Sequence, residues 1–125
     1  MVWLAALLVL AFPQASSAPV VWGGDHVALT ERTGGPTVEF DCATGALDAS
    51  IRTDAQGAFR VNGTVVAEHA GPTRRGEEPR PMRAVYSGTI IQDAMTLVVV
   101  VDGQDPAGTT YHLTRGQPGN LRKCR

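Results

Sequence analysis

The sequence predicts an all-β fold, a small antiparallel barrel of about eight strands, with a sandwich as the alternative. Short runs rich in β-branched and aromatic residues alternate with clusters of Gly, Pro, Asn and Asp along the chain. No stretch beyond residue 18 shows apolar residues at a helical period. The runs follow one another as consecutive hairpins, and closure into a barrel leaves no free sheet edge.

Residues 1–18 are predicted to be a secretory signal. An apolar run, Trp3 to Phe12, is too short to span a bilayer, and small residues follow it at 15–18. We therefore expect a mature chain that starts at Ala18 or Pro19, a secreted or periplasmic location, and no membrane anchor after cleavage. An uncleaved amphiphilic N-terminus is the alternative.

Length and charge limit the classes of partner. The 125 residues include 11 basic and 12 acidic side chains, which gives a net charge of -1. Residues 19–125 are enough for one domain with its own core, and we expect a monomer. Near-neutral charge argues against nucleic acid or an anionic membrane as the main partner.

The two cysteines, Cys42 and Cys124, are predicted to form a disulfide, because an even count in an exported protein indicates pairing. A consecutive meander holds its first and last strands apart. A bond between these two positions therefore favours closure into a barrel. Two buried free thiols are the alternative.

The first part of the domain is predicted to hold a bend and three short strands. Gly23 and Gly24 make the bend, and Trp22 is expected to plug one end of the core. Alternation of apolar and polar residues predicts the strands. They cover residues 27–30, 38–42 and 47–52, separated by turns at 33–36 and 44–45, with Val38, Phe40, Cys42, Leu47, Ala49 and Ile51 facing inward.

Asn62-Gly63 is predicted to be a hairpin turn. The pair stands between two β-branched runs, and a type I′ turn needs positive φ at both central residues, which Asn and Gly tolerate. Phe59, Val61 and Val66 would then share one face.

The longest hairpin is predicted over residues 83–101, around a short polar turn at Gln92-Asp93-Ala94. A loop of two or four residues, in the register that pairs Ile91 with Thr96, separates the two faces better than a loop of three. It places Tyr86, Ile90, Leu97, Val99 and Val101 on the core face and Ser87, Thr89, Thr96, Val98 and Val100 on the other. The last strand is predicted at 109–115, with Tyr111 and Leu113 inward and His112 outward.

Four segments of the later half of the chain carry a resemblance. They are Tyr86-Ser87-Gly88-Thr89-Ile90, Met95-Thr96-Leu97, Gly108-Thr109-Thr110-Tyr111-His112-Leu113-Thr114-Arg115-Gly116 and Leu121-Arg122-Lys123-Cys124. With them, residues 84–124 resemble small exported bacterial β-barrel proteins of uncharacterised function and, more weakly, the meander of the lipocalins. The resemblance implies the fold and the location but no activity. Trp22-Gly23 reverses the order of the Gly-x-Trp opening of lipocalins.

No catalytic, cofactor-binding or metal-ligating residue is predicted. The histidines, His26, His69 and His112, are not at metal-ligand spacing, and surface positions explain them, although convergence at one barrel end is an alternative. Glu39 and Asp41 share one face of a predicted strand, but acid–base chemistry would also need a cleft. The sequence contains no Gly-x-Ser-x-Gly.

The segment 71–81 is predicted to be an exposed loop and is the best candidate for contact with a partner. It has no apolar residue besides its prolines, and these limit the entropy lost on docking. A solvated linker is the alternative. The charged residues that would meet the partner are Arg74, Arg75, Glu77, Glu78 and Arg80.

The sequence therefore favours a non-catalytic exported module that binds an unknown protein or surface partner through its loops, which includes the presentation of Arg74-Arg75 to a protease. A carrier of a small apolar ligand is the second hypothesis and a hydrolase the third. Short strands and several large inward side chains leave little interior volume, which places the carrier below the binding module. An apolar cavity above about 300 Å³ would favour the carrier.

Overall fold

The computed structural model describes residues 8–10, 19–68 and 80–124. The described residues form eight strands and no helix, so nothing among them makes a helix that could cross a bilayer. Most of the predicted signal, at 1–7 and 11–18, lies outside the described residues. The strands are β1 (Val21–Gly24), β2 (Val27–Thr30), β3 (Thr37–Phe40), β4 (Ala43–Leu47), β5 (Ala58–Ala67), β6 (Met82–Ile91), β7 (Ala94–Val101) and β8 (Thr109–Arg115).

The eight strands form a closed barrel in which each strand pairs antiparallel with its neighbour in sequence. This confirms the predicted barrel over the sandwich. Closure is a short seam between β1 and β8, where Trp22 pairs with Arg115 and Gly23 with Thr114. The barrel therefore has two ends. The mouth end carries the connections that follow β1, β3, β5 and β7, and the base end carries those that follow β2, β4 and β6.

The long hairpin is confirmed, with a register two residues from the predicted one. The turn is Gln92-Asp93, Gln92 has a φ of 55°, and Ile91 pairs with Ala94 rather than with Thr96. A shift of two residues keeps every side chain on its predicted face, because successive strand residues alternate. Tyr86, Leu97 and Val99 are therefore buried, as predicted.

Two predicted turns, Asn62-Gly63 and Thr44-Gly45, are wrong. Both pairs lie inside continuous strands, and neither Asn62 nor Gly63 has a positive φ. The glycines serve another purpose. A Cβ at Gly45 would overlap the Tyr86 hydroxyl, and a Cβ at Gly63 would overlap the Ala46 carbonyl oxygen and the Tyr86 ring. The Tyr86 hydroxyl donates to the Thr64 carbonyl oxygen at 2.7 Å. The glycines therefore make room for one aromatic ring.

The predicted strands 38–42 and 47–52 are also corrected. β3 ends at Phe40, so Cys42 lies in the bend after it and is exposed rather than inward. Residues 48–57 connect β4 to β5: Ala49 is exposed there, and Ile51 packs on the core from this connection. Since β5 does not turn, Val65 faces inward in place of Val66.

Residues 116–124, called the strap below, follow β8 and run over the outside of the β1–β2 hairpin from the base to the mouth. Gly116 N–H donates to the Val21 carbonyl at 2.7 Å, and Asn120 exchanges backbone bonds with Gly24 and His26. A side chain at Gly23 would overlap the backbone at 117–118. The absence of a side chain on the outer face of β1 thus lets the strap lie flat against the seam.

Candidate binding pocket at the barrel mouth

A pocket of about 400 Å³ opens at the mouth end. It receives residues from β3 to β8 and from the connections that follow β1, β3 and β7. Its volume falls in the usual range for small-ligand sites. The lining residues are His26, Phe40, Asp41, Cys42, Ala43, Val65, Ala67, Met82, Val99, Val101, Gln104, Asp105, Gly108, Thr109 and Tyr111.

The inner wall of the pocket is the inward face of the barrel. Phe40, Val65 and Val99 belong to the buried core and also line the pocket. Tyr111 is half-buried, and its ring centroid lies 5.3 Å from that of Phe40 with the planes tilted by 42°. The wall therefore offers a ligand apolar and aromatic surface.

The rim of the pocket holds a His–Asp pair. His26 is in the β1–β2 turn with a φ of 68°, a left-handed conformation that His adopts more readily than most residues. Its Nδ1 lies 2.6 Å from Asp41 Oδ2, and the Arg122 backbone N–H donates to Asp41 Oδ1 at 2.8 Å. Asp41 thus joins the first turn of the barrel to the strap.

These contacts set the charge of the rim. The hydrogen bond from the Arg122 backbone, followed by that from His26, lowers the pKa of Asp41 below its ordinary value of 3.8. Burial, together with the nearby Asp41 charge, raises the pKa of Tyr111. At neutral pH the rim therefore carries an ionised carboxylate beside a neutral phenol.

A second carboxylate enters from the β7–β8 connection. Asp105 Oδ1 accepts from the Ala107 N–H at 2.9 Å, and the Asp105 carbonyl accepts from Gly108 N–H at 3.0 Å. Gly108 has a φ of 70° and lies close against Val99. The turn thereby holds Asp105 at the pocket rim.

The predicted disulfide is confirmed and fastens the mouth. Cys42 and Cys124 are bonded, with Cα atoms 5.1 Å apart. The Cys124 N–H donates to the Asp41 carbonyl oxygen at 3.2 Å. Lys123 Nζ donates to the Phe40 carbonyl oxygen at 2.9 Å and lies 3.4 Å from a Glu68 carboxylate oxygen. The end of the strap is therefore fixed beside the β3–β4 bend, which lines the pocket.

The other candidate residues of the sequence do not form a common site among the described residues. His112 is exposed on β8, where its backbone lies close to Gly24, and His69 lies outside the described residues. Glu39 is exposed on β3, whereas Asp41 lines the pocket. In the described ranges, no group of three or more His, Cys, Asp or Glu side chains could hold a metal ion.

The predicted partner loop is described only at its edges. Arg74, Arg75, Glu77 and Glu78 lie outside the described residues, and Arg80 is exposed. Glu68 and Arg80 are the described residues on either side of 69–79, next to the end of β5 and the start of β6 at the mouth end. The loop hypothesis stays a prediction.

A second depression, of about 770 Å³, lies at the base end against Pro19, Glu31, Arg32 and Ser50. It is larger than the mouth pocket, but it is a surface groove without an aromatic wall. The mouth pocket is the better candidate because inward-facing barrel residues form its wall.

Comparison with known proteins finds no matching family, no matching curated protein and no matching solved structure. Function is therefore inferred from the geometry of the mouth.

Proposed function

We propose that this protein is an exported, non-catalytic binding module that holds a small ligand with an apolar body in the mouth pocket. The observation that carries the proposal is the cavity of about 400 Å³ walled by Phe40, Val65, Val99 and Tyr111. The sequence predicted little interior volume. Because the described residues form a pocket of this size at the mouth, a ligand carrier takes precedence over a role through loops alone.

The structural hydrogen bonds of the His26–Asp41 pair favour binding without catalysis. Both Asp41 oxygens accept hydrogen bonds, one of them from the strap, so the carboxylate acts as a structural anchor. In the part of the chain that the structure describes, the hydroxyl groups that line the pocket are those of Thr109 and Tyr111. Burial raises the pKa of Tyr111, which disfavours its use as a nucleophile near neutral pH.

Export is supported by the apolar run at 3–12 and by the disulfide, a bond that persists in oxidising compartments. Intact-mass measurement of the secreted protein should give a chain that begins at Ala18 or Pro19. A secreted chain that keeps residues 1–17 would contradict the signal assignment.

Ligand binding can be tested with 2-phenylethanol, whose ring and short chain suit the aromatic wall. Titration of ¹⁵N-labelled protein should shift the amide resonances of Val65, Val99 and Tyr111, with saturation at one site. Shifts spread evenly over the barrel, or none at all, would contradict the proposal.

A matched pair of variants places the site. Val101→Trp fills the pocket rim and should abolish the titration. Val98→Trp adds the same bulk to the outer face of the same strand and should leave the titration unchanged. Equal loss in both variants would mean that the probe does not occupy the mouth. Circular dichroism checks that each variant retains the barrel.

The second proposal is that residues 71–81 meet a protein or surface partner. It is supported by the position of Glu68 and Arg80, which attach this segment at the rim of the pocket end. Replacement of residues 71–79 by a Gly/Ser linker of equal length should remove a partner found by crosslinking in the exported fraction, yet preserve 2-phenylethanol binding. A partner retained by that variant would exclude the loop.

A further inference from the structure

The charges that face the mouth pocket are unbalanced. Asp41 and Asp105 line it, whereas the described part of the lining includes no Lys or Arg. A concave site with walls of low dielectric constant concentrates the field of such groups. The pocket therefore favours positive charge.

Asp41 supplies a permanent field rather than a direct contact. Its two oxygens already accept from His26 and from the Arg122 backbone, and these bonds keep it ionised. Asp105 is different. Its Oδ1 caps the Ala107 N–H, so Oδ2 is the oxygen that can accept from a ligand. One carboxylate is thus fixed by the protein, and the other presents an acceptor at the rim.

The aromatic pair on the inner wall, Phe40 with Tyr111, adds a second and independent preference. The faces of aromatic rings carry negative charge density and attract ammonium groups within about 6 Å of the centroid. The same rings pack against an apolar body. A ligand that combines the two features satisfies both parts of the wall.

Among the described residues, two cations of the strap, Arg122 and Lys123, approach the rim, but neither lines the pocket. Lys123 Nζ is bound to the Phe40 carbonyl and lies beside the Glu68 carboxylate. Arg122 is exposed and approaches Asp41 through its backbone. His26 is in contact with Asp41. An anionic ligand would instead meet the carboxylates of Asp41 and Asp105, and like charges in contact are costly.

We propose that the mouth pocket selects amphipathic organic cations, with an ammonium group at Asp105 and an apolar body against Phe40 and Tyr111. This inference rests on the ligand-binding function proposed above. It adds the chemical class of the ligand.

Three probes with one phenylethyl body separate the two proposals: 2-phenylethylammonium, 2-phenylethanol and 3-phenylpropanoate. Titration at low ionic strength should give the ammonium at least ~5-fold tighter binding than the alcohol, with the carboxylate weakest. Added salt should narrow the gap, because the rim is open to solvent.

Asp105→Asn is the decisive variant, since Asn keeps the oxygen that caps Ala107 while removing the charge. It should abolish most of the preference for the ammonium and leave the alcohol affinity unchanged. Asp102→Asn, on the same connection but outside the pocket lining, is the matched control and should retain the full preference.

The outcomes are distinct. If the alcohol shifts the pocket resonances and the ammonium binds no tighter, selection of cations is wrong while the pocket function stands. If none of the three probes shifts those resonances, both proposals are wrong. A preference that survives Asp105→Asn as fully as Asp102→Asn would overturn the assignment of the ammonium to Asp105.

Discussion

The two ends of the barrel are built from the same eight strands but are filled differently. At the base, Trp22, Met95 and Leu113 are almost completely buried, and the Arg115 guanidinium carbon lies 4.7 Å from the centroid of the Trp22 ring. At the mouth, small residues such as Ala43 and a half-buried Tyr111 leave the pocket open. Among the described residues, large buried side chains therefore fill the base, whereas smaller and half-buried ones leave a pocket at the mouth.

The ends also differ in how they are held. The base depends on packing, and it tolerates a buried Trp22 Nε1 with no hydrogen-bond partner among the described residues. An unsatisfied group of this kind costs about 1–3 kcal/mol. The mouth, where half-buried residues such as Val101 and Tyr111 line the pocket, is also held by the disulfide and by the hydrogen bonds of Asp41, Lys123 and Asn120.

The largest expected effect comes from removal of the Cys42–Cys124 disulfide at the mouth. The double variant Cys42→Ser/Cys124→Ser loses a crosslink with a sequence separation of 82 residues. The chain-entropy argument gives a loss of up to about 4–5 kcal/mol in the free energy of unfolding, measured by urea titration. Amide hydrogen exchange should speed up first at the strap and the β3–β4 bend. Equal loss of protection at Met95 and Leu113 would show that the ends are not independent.

The same substitution at each end compares their packing directly. Val38→Ala, at a fully buried site toward the base, should lower the free energy of unfolding by about 2–3 kcal/mol, because it removes two buried methyl groups and leaves a cavity. Val101→Ala, half-buried at an existing pocket, should cost about 1 kcal/mol. Equal shifts of the urea midpoint would mean that the mouth is packed as tightly as the base.

A further pair of variants, Gly63→Ala and Asn62→Val, tests the region between the two ends of the barrel. Gly63→Ala places a methyl group against the Ala46 carbonyl and the Tyr86 ring, so it should destabilise the barrel by about 1–3 kcal/mol in a urea titration. Asn62→Val, at the exposed neighbouring position of the same strand, is the control. It should be neutral or slightly stabilising, since Val suits a strand. If Asn62→Val were strongly destabilising, the result would support a turn at Asn62-Gly63 instead of the continuous strand β5.

The smallest expected effect is a pH dependence confined to the mouth. The pKa of Asp41 is lower in the folded protein than its ordinary 3.8. Its contribution to stability is therefore present above pH 3.8 and is lost as the pH falls through the folded-state pKa. Between pH 7 and about pH 3, wild type should lose more stability than Asp41→Asn. Parallel curves for the two proteins would show that the anchor does not depend on charge.

Alternation of apolar and polar residues predicted the long hairpin because it shows which face of the sheet each side chain is on, although not which residue it pairs with. A register shift of two residues changes every pair but no face, so Tyr86, Leu97 and Val99 remained correct. The two false turns failed for one physical reason. Gly45 and Gly63 accommodate Tyr86, which lies on another strand, and local sequence does not show which residue will cross a glycine.

Most of the candidate site could not be predicted from the sequence, because its residues come together only in the folded chain. His26, Asp41 and Arg122 are far apart in sequence, and the closed barrel with its strap brings them into contact. The disulfide could be predicted because the chain has two cysteines, and an even number in an exported protein indicates pairing. The pocket could not, because its volume depends on which inward positions hold small residues at the same end.

The short seam between β1 and β8 has a consequence for folding kinetics. Trp22 and Arg115 must meet across most of the domain, whereas each of the other pairings joins two strands that are consecutive in the chain. Local hairpins should therefore form early and the seam last, because closure of a long loop is entropically unfavourable. Until that step, the free edge of β1 can pair with another chain. The strap can form its backbone hydrogen bonds to Val21, Gly24 and His26 once β8 is in place, and these bonds then oppose reopening of that edge.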